Sequence, residues 1–300
     1  MSEPIHFYHR AKKTIETEAV YGEKWLRWAY HTGPGRATVA LLLRRALFSH
    51  YYGWQMSKRI SSARVLPFVI DYDLNAEEFA KHAWEYASFN EFFYRKLKPG
   101  ARPVAAPEDP ALAVLPADGR HLAFQDVEAA DGFYVKGKKF TVGELLGDAT
   151  LASDFAGGAM VISRLCPVDY HRFHFPVTGS PGDAQLINGW LYSVSPIALR
   201  TNVHYLVENK RYRTLIETPA FGRVAMLEIG ATCVGSIKQL YVSNRPTPKG
   251  EEKGFFKFGG SCVITLFQRG RIRFDDDFVA HSAEHRETYA KMGERLGVAV

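Results

Sequence analysis

Between residues 112 and 274 the chain consists of short apolar segments that alternate with turn-forming residues, and this pattern constrains the fold more than any other feature. The segments are rich in Val, Ile, Phe and Tyr and are bounded by Gly, Pro and Asp-Gly pairs, which is typical of antiparallel strands. One short helix is predicted inside this region, at Val142–Leu146. The clearest strand-like segments cover residues 113–124, 131–140, 157–165, 221–242 and 261–274.

The ends of the chain have a helical texture instead. Helices are predicted at residues 9–31, 36–59, 75–86, 88–97 (with Ser88 as the N-cap) and 281–296. The pattern therefore predicts an α+β fold in which an N-terminal helical layer covers a largely antiparallel β-rich core. We expect a basic, helical, membrane-facing region over residues 1–104 and a catalytic core with a C-terminal helix over residues 105–300.

The charge is distributed unevenly along the chain. There are 38 Lys and Arg against 32 Asp and Glu, and residues 1–60 alone hold ten basic and four acidic side chains, so the whole net charge of +6 lies there. This argues against a nucleic-acid-binding core and favours contact with an anionic surface, either a membrane or an acidic partner. In the second predicted helix Val39, Leu43 and Leu47 share a face, which could lie in a membrane interface or pack on the protein's own core.

Composition excludes several classes of protein. A hydrophobic content of 46% with 13% aromatic residues supports a large core rather than a disordered chain. No apolar run reaches the roughly 20 residues that span a bilayer, and the start of the chain lacks the apolar segment of a signal peptide. The three cysteines, Cys166, Cys233 and Cys262, have no metal-binding spacing, so we expect a reducing, cytoplasmic location.

Three short motifs could carry chemistry. Gly259-Gly260-Ser261 is either a tight turn into a strand or a reactive serine in a strained turn. Asp169, His171 and His174 could be metal ligands or ordinary polar residues, and because their spacing is awkward for a metal we predict none. Asp118 could form a common Asp-Gly turn or orient a histidine.

Asp118, His174 and Ser261 together supply one of each partner that nucleophile activation requires. No G-x-S-x-G motif is present. The residues alone therefore indicate a Ser/His/Asp site of undefined chemistry.

In order and spacing these motifs resemble those of phosphatidylserine decarboxylase proenzymes, and the resemblance covers nearly the whole chain. The ends of the chain resemble the longer bacterial branch of that family. PADGR, DYHRFH and GGS in this order are far more specific than any one of them. The matching blocks are FNEFFYRKLKPGARPV (89–104), PADGR (116–120), DYHRFHFPVTG (169–179), SVSPIALRTNVHYLVENKR (193–211), IGATCVGSI (229–237) and KGEEKGFFKFGGS (249–261).

The resemblance implies that the chain cuts itself between Gly260 and Ser261 into a β subunit, 1–260, and an α subunit, 261–300. Ser261 Oγ would attack the Gly260 carbonyl, an ester would replace the amide, and elimination would release the upstream chain. Hydrolysis of the resulting dehydroalanine would leave a pyruvoyl group and ammonia, so no PLP is expected. Asp118, His174 and Ser261 would form the self-cleavage set, with His174 accepting the Ser261 proton and Asp118 holding its tautomer.

The resemblance also implies decarboxylation of phosphatidylserine to phosphatidylethanolamine, with His171 as the proton donor and Asp169 in support. It implies a homodimer lying peripherally on the cytoplasmic face of the cell membrane, without a transmembrane helix. Cys262 departs from the family, which usually has Ser or Thr there, and could slow self-cleavage. The alternatives are a pyruvoyl decarboxylase of a soluble amino acid such as tryptophan, a Ser-His-Asp hydrolase, and a non-enzymatic membrane adaptor.

Overall fold

The N-terminal third combines two strands with a layer of short helices. A computed structural model describes residues 4–128, 140–233, 236–259 and 261–300. The chain begins with β1 (His6–His9) and β2 (Thr14–Thr17), followed by α1 (Glu23–His31), α2 (Gly33–Thr38), a π-helical turn (Val39–Leu43), α3 (Ala46–Met56), a 3-10 helix (Arg59–Arg64), α4 (Val65–Asp71), two 3-10 turns (Ala76–Glu78 and Ala83–Glu85) and α5 (Phe89–Phe93).

The remaining chain is dominated by strands, with short helices between them. In order it forms β3 (Leu112–Val114), β4 (Gly119–Phe124), α6 (Val142–Leu146), α7 (Ala149–Ala152), a 3-10 turn (Ser153–Phe155), β5 (Ala159–Leu165), β6 (Arg172–His174), β7 (Ser180–Pro181), β8 (Gln185–Ile187), α8 (Pro196–Leu199), α9 (Tyr205–Glu208), β9 (Arg211–Thr218), β10 (Gly222–Ile229), β11 (Ile237–Gln239), β12 (Glu252–Phe256), β13 (Ser261–Phe267), β14 (Ile272–Phe274), α10 (Asp276–Ala283), β15 (Glu287–Ala290) and β16 (Arg295–Ala299).

A ten-stranded sheet forms the centre of the fold. Its order is β2-β1-β15-β4-β5-β13-β10-β9-β7, with β8 also paired to β9, and two smaller sheets join β11-β12-β6 and β14-β16-β3. Within the described residues, all the pairs of these strands are antiparallel except β1 with β15, which confirms a largely antiparallel α+β fold.

Strand β13 is buried in the middle of this sheet. It lies between β5 and β10, and all seven of its residues are buried. Its side chains point alternately to the two faces of the sheet and enter two different apolar clusters. Val263 and Phe267 belong to one cluster, and Cys262 and Ile264 belong to the other. A strand covered on both faces forms a continuous apolar run rather than an alternating pattern, as the sequence from 261 to 267 does.

The helical layer meets the core around α5. Ser88 caps this helix, since its Oγ accepts a hydrogen bond of 3.1 Å from the Glu91 amide. Phe89, Phe92 and Phe93 are buried in a cluster that also contains Phe258, two residues before Gly260. The layer therefore packs directly against the segment that leads into β13.

Several predicted helices are wrong or shorter than expected. Residues 14–17 form a strand because their β-branched side chains suit the hairpin of β1 and β2, and the helix begins only at Glu23. The helix expected at 36–59 is interrupted around residues 39–45, and the one expected at 75–86 is reduced to two 3-10 turns. The 88–97 prediction is confirmed only for Phe89–Phe93.

The predicted C-terminal helix over 281–296 is also wrong. The helix α10 ends at Ala283, and β15 and β16 follow. Pairing of β15 between β1 and β4 overrides the local helical preference. The helix predicted at Val142–Leu146 is confirmed, whereas the strand-like segment at 131–140 lies outside the described residues except for Phe140. In the described part of the chain, no helix has the length and apolarity needed to cross a membrane.

Close packing of β4 on β5 provides a test of the fold. A Cβ atom on Gly119 would lie 2.4 Å from the Arg164 carbonyl oxygen. We expect Gly119→Ala to lower the free energy of unfolding by about 1–3 kcal/mol because the backbone must move. Urea unfolding of a Ser261→Ala background, which keeps one chain, measures this. Gly33→Ala is the control, because no atom lies within 4 Å of its Cβ position; equal midpoints for the two variants would contradict the packing argument.

Candidate active site

Ser261 is the first residue of the central strand β13 and is fully buried. Its backbone pairs with Leu165 in β5. Gly259, two residues earlier, has a φ angle of 132°, a backbone conformation that residues other than glycine rarely adopt. The amide of Phe258 donates to Asn90 Oδ1 at 2.9 Å, so α5 holds the approach to the serine. Gly260 itself lies outside the described residues.

His171 is the histidine that contacts Ser261. Its Nδ1 lies 3.0 Å from Ser261 Oγ, and its Nε2 lies 2.8 Å from the carbonyl oxygen of Cys166. A carbonyl can only accept, so the neutral ring carries its proton on Nε2 and leaves Nδ1 as an acceptor for the Ser261 hydroxyl. The Phe93 ring stacks on the imidazole with 3.8 Å between the centroids.

The protonation state of His171 follows from its environment. The ring is fully buried, and burial lowers its pKa to about 3, with the hydrogen bond to Cys166 opposing this shift and the charge of Arg95 adding to it. The imidazole is therefore neutral at physiological pH. A neutral ring with a free Nδ1 is the form that can accept a proton from a serine.

Asp169 fixes the turn that carries the Cys166 carbonyl. Its Oδ2 accepts from the Cys166 amide at 2.7 Å and from Arg120 Nη1 at 3.1 Å. Burial raises the pKa of this carboxyl group, and the Arg120 charge opposes that rise. Asp169 is therefore connected to His171 through Cys166, whose amide it binds and whose carbonyl contacts the ring.

His174 is bonded elsewhere. Its Nδ1 lies 2.9 Å from the Gly250 carbonyl oxygen and must donate to it, which leaves Nε2 to accept from the Tyr170 hydroxyl at 3.3 Å. Burial lowers the pKa of this ring, with the bond to Gly250 opposing. Both ring nitrogens are therefore occupied by groups other than Ser261.

Asp118 makes a buried ion pair. Its carboxylate accepts from Arg102 Nε at 2.8 Å and Nη2 at 2.6 Å, and it also accepts from the Met292 amide at 2.9 Å. These bonds join the loop after β3 to the loop between β15 and β16, on opposite sides of the 260–261 bond in sequence. The carboxylate has no hydrogen bond to His174.

The predicted site is thus assembled with a different pairing. The sequence placed His174 on Ser261 and Asp118 on His174, whereas the hydrogen bond to Ser261 comes from His171. The two histidines are three positions apart and lie in different surroundings: His171 precedes β6 and contacts the first residue of β13, while His174 ends β6 and contacts the loop at Gly250. Among the described residues no group of three His, Cys, Asp or Glu side chains is arranged to hold a metal ion.

A cavity of about 440 Å³ opens beside the serine and was not anticipated from the sequence. It reaches Gly259 and Cys166 on the side of the site and extends between α1 and α3. Glu18 and Arg164 are its charged lining residues. Its apolar and aromatic lining includes Tyr21, Trp25, Leu26, Tyr30, Leu43, Phe48, Tyr52, Val194 and Phe258.

Sequence reasoning also missed the supporting role of α5. The FNEFF segment was part of a matching block, but nothing local indicated that Asn90 would hold Phe258 or that Phe93 would cover His171. Cys262 is accommodated without difficulty, because it is fully buried in an apolar cluster. Burial raises the pKa of its thiol, which therefore stays protonated.

Comparisons with known proteins agree with this architecture. The family model described as phosphatidylserine decarboxylase matches residues 89–298. Relatives named phosphatidylserine decarboxylase proenzyme include those of Fusobacterium nucleatum (42% identical over 295 residues, 98% of each chain), Chlamydia trachomatis (43% over 291 residues, 97% of this chain and 96% of the relative) and Desulfitobacterium hafniense (39% over 294 residues, 98% of each). These matches define the chain as a carboxy-lyase. It belongs to the phosphatidylserine decarboxylase family.

The Asp118–Arg102 pair generates a prediction about the site. We expect Asp118→Asn to lower the free energy of unfolding by about 1–3 kcal/mol, because it removes the charge that Arg102 Nε and Nη2 contact and leaves Glu78, 2.8 Å from Nη1, as the remaining carboxylate partner. Urea unfolding in the Ser261→Ala background measures this change. The exposed Asp183→Asn serves as the control and should change the free energy by less than about 0.5 kcal/mol. A stable Asp118→Asn protein would show that the ion pair is dispensable.

Proposed function

We propose that the chain decarboxylates phosphatidylserine to phosphatidylethanolamine and carbon dioxide, after cutting itself between Gly260 and Ser261 and converting Ser261 into a pyruvoyl group. The observation that carries this proposal is the hydrogen bond of 3.0 Å between Ser261 Oγ and a buried, neutral His171. Family membership supplies the reaction class, and the apolar cavity beside the serine suits a lipid substrate.

For self-cleavage, the geometry favours His171 as the base. Its Nδ1 accepts the Ser261 proton while Nε2 stays bound to the Cys166 carbonyl, so the ring gains charge without changing position. Phe93 restricts the rotation of the ring and excludes water from one face. His174 would have to give up the Gly250 or Tyr170 bond to reach Ser261, which is the main argument against the role the resemblance implies for it.

The surroundings of Ser261 suit a pyruvoyl group in the same place. The residue is fully buried, and the apolar cavity reaches Gly259, two residues before it, so a ketone here would be protected from bulk water. When formed, the group supplies a ketone that binds the substrate amine and takes up the electrons released with carbon dioxide. His171 stays within reach of this position and is our candidate for returning a proton to the substrate carbon, with Asp169 holding the turn behind it.

Cleavage at this position keeps the two fragments together. The segment 261–300 would contain β13, which pairs on both sides with strands of the larger fragment, and β15, which pairs with β1 and β4. We therefore propose that the α and β subunits form one unit. The homodimer stays a prediction, which the mass of the native protein tests.

The outer surface of the helical layer supports peripheral membrane binding. Val39 and Leu43 are buried in the protein's own core, as one of the two interpretations of this segment predicts, whereas Leu41, Leu42 and Leu47 are exposed, which suits contact with a membrane. Large exposed apolar residues of this layer are Trp25, Trp28, Leu41, Leu42, Leu47, Tyr51, Trp54, Ile60, Leu66 and Ile70. Exposed basic residues such as Arg36, Arg45, Arg59 and Arg64 lie among them.

An apolar surface with basic residues at its edges is typical of proteins that lie in a bilayer interface. The cavity beside Ser261 opens within the same layer, next to Trp25 and Tyr52. We therefore propose that the enzyme binds the cytoplasmic face of the cell membrane and receives its lipid from there. This arrangement favours phosphatidylserine over a soluble amino acid such as tryptophan.

Self-cleavage is the first prediction of this proposal. Denaturing gels and intact mass should show a fragment of residues 1–260 and a fragment of residues 261–300 whose N-terminus is blocked, while Ser261→Ala stays uncut. Carbon dioxide release from vesicles should depend on the cut, since the ketone forms only with it. Active protein that consists of a single uncut chain would rule the proposal out, and equal activity on free tryptophan would favour the soluble-substrate alternative.

The roles of the two histidines can be separated in the same assay. His171→Gln keeps a donor for Cys166 and an acceptor for Ser261 but is not a base, so we expect it to cut at least 100-fold more slowly. His174→Gln should still be cut. In the wild type the cutting rate should not fall between pH 8 and pH 5, where a histidine with the ordinary pKa of about 6.5 would become protonated. If His174→Gln is cut slowly and His171→Gln is cut at the normal rate, the result would instead support the self-cleavage set of Asp118, His174 and Ser261.

Membrane binding gives a further prediction. Leu47, which is 81% exposed, should insert into the interface, so Leu47→Glu should weaken binding to phosphatidylcholine–phosphatidylglycerol vesicles about tenfold or more. Arg45→Glu should weaken binding in a salt-sensitive way, since a basic residue near an anionic surface contributes roughly 1 kcal/mol. Val242→Glu, an exposed apolar residue outside the layer, is the control. If Leu47→Glu and Arg45→Glu bind vesicles as well as the Val242→Glu control does, the proposed orientation is contradicted.

A further inference from the structure

Arg44, Arg45 and Trp190 form a basic cluster where the helical layer meets the loop before α8, and we call it the Trp190 cluster. The guanidinium carbons of Arg44 and Arg45 lie 4.1 and 5.1 Å from the centroid of the same indole ring. Within the described part of the chain, neither arginine forms an ion pair with a carboxylate. Two like charges that share one ring repel each other, so a bound anion would stabilise the arrangement.

The backbone holds the residues of this cluster in place. The Leu191 amide donates to the Arg44 carbonyl at 3.1 Å, and the Trp190 amide donates to the Glu208 carbonyl at 2.9 Å. A Cβ atom on Gly189 would lie 2.2 Å from the Glu208 carbonyl oxygen, so the loop approaches this closely only with glycine there. A ligand would therefore meet a site that is already formed, and binding would not have to order a loop.

The hydrogen bonds of the two arginines leave their charges uncompensated. Arg44 is half-buried, and its Nη1 donates to a neutral acceptor, the Tyr192 hydroxyl, at 2.6 Å. Arg44 Nε has no hydrogen-bond partner among the described residues. Arg45 is exposed, and no described residue accepts a hydrogen bond from its guanidinium. Because guanidinium groups bind phosphate through two parallel N–H bonds, phosphate is the anion that this pair suits best.

Exposed leucines on both sides of the arginines indicate that the phosphate belongs to a lipid. Leu41 and Leu42 precede the two arginines, Leu47 follows them, and all three side chains are exposed. A free phosphate ion makes no use of apolar side chains, whereas a bilayer places acyl chains directly below its phosphate groups. Arginines at head-group level, leucines below them and a tryptophan at the boundary are typical of a segment that lies in a membrane interface.

The lipid bound here would be a different molecule from the one whose head group reaches Ser261. Among the described residues, Leu43 lines the cavity beside the serine, whereas Arg44, Arg45 and Trp190 do not. In phosphatidylserine only a few bonds separate the phosphorus from the carbon that carries the amine, so a head group in the cavity has its phosphate there too. Decarboxylation also removes the net negative charge of the substrate, because phosphatidylethanolamine is zwitterionic. An anionic lipid that is not consumed would keep the enzyme on the membrane as the substrate is used up.

We propose that the Trp190 cluster binds the phosphate of a second, anionic phospholipid that is not the substrate, and that this lipid holds the enzyme on the membrane during turnover. The inference rests on the proposed membrane binding and decarboxylation, and it adds a specific head-group site to them. Diffuse attraction to a membrane depends only on charge, whereas this site requires the planar fork of an arginine and the face of an indole ring. The site therefore predicts effects of substitutions that leave the net charge unchanged.

Arg45→Lys tests the site at constant charge. Binding to phosphatidylcholine–phosphatidylglycerol vesicles should weaken about threefold, because lysine cannot form the two-bond contact with phosphate. Arg59→Lys, at an exposed arginine of the same layer, is the matched control and should bind like the wild type. Trp190→Leu should weaken binding about fivefold, whereas Trp84→Leu, at an exposed tryptophan outside the layer, should not. Flotation measures binding, and circular dichroism verifies that each variant is folded.

Competition and activity measurements complete the test. Inorganic phosphate should not release the wild type from these vesicles more than sodium chloride of equal ionic strength does; specific release would show that the site takes the free ion and would overturn the inference. Phosphatidylglycerol should stimulate carbon dioxide release from phosphatidylserine diluted in phosphatidylcholine, and Arg45→Lys should reduce this stimulation about threefold. A wild type that neither binds vesicles nor releases carbon dioxide would defeat the proposed function itself. A wild type that does both, with Arg45→Lys equal to Arg59→Lys and Trp190→Leu equal to Trp84→Leu, would overturn this inference alone.

Discussion

The hydrogen bond between His171 Nε2 and the Cys166 carbonyl is the constraint on which the rest of the site depends. An imidazole in an apolar environment can face a serine as donor or as acceptor, and only the acceptor form can remove its proton. The carbonyl decides between these forms because it cannot donate. Burial then keeps the ring neutral, and stacking of Phe93 on the ring restricts its rotation. The serine at the head of β13 therefore lies beside a neutral imidazole acceptor whose tautomer a backbone carbonyl fixes, whereas a carboxylate fixes the tautomer in a Ser-His-Asp hydrolase.

The position of Ser261 explains how a chain can be cut next to the middle of its main sheet and remain folded. Strand pairing of β13 begins at the serine itself, opposite Leu165, so cleavage on its N-terminal side would leave the pairing of residues 262–267 with β5 in place. Phe258 is held separately by Asn90 and by the aromatic cluster around α5, so the new end of the larger fragment is also anchored. The chain is thus held on both sides of the 260–261 bond, by the sheet after it and by the helical layer before it. Neither set of contacts requires that this bond be intact.

Local chemistry accounts for what could be predicted from the sequence. Thr141 and Gly147 delimit the helix at Val142–Leu146 by a capping box and a left-handed residue, both of which are short-range features. The order of PADGR, DYHRFH and GGS located the site for a similar reason, since each motif marks a turn next to a strand. The C-terminal helix was wrong because the partners of β15 lie far away in the sequence, at β1 and β4. The roles of the two histidines stay a prediction: His171 meets the Cys166 carbonyl and His174 meets the Gly250 carbonyl, and a sequence pattern carries no information on which carbonyl a ring will meet.

The charge asymmetry has a structural counterpart that the net charge conceals. Residues 61–300 carry equal numbers of basic and acidic side chains, yet Arg120, Arg164 and Glu287 among them are buried around the reacting serine. The basic N-terminal segment adds a further carboxylate to this cluster, because Glu18, one of the four acids in residues 1–60, lies 2.6 Å from Arg164. Its pKa is about 2 because the charges of Arg164 and Arg120 outweigh the effect of burial, so it is ionised throughout the physiological range. The segment thus presents positive charge to the outside and delivers one negative charge to the core. If the segment binds the membrane as proposed, its exposed residues and the buried Glu18 have separate roles, and each can be altered without the other.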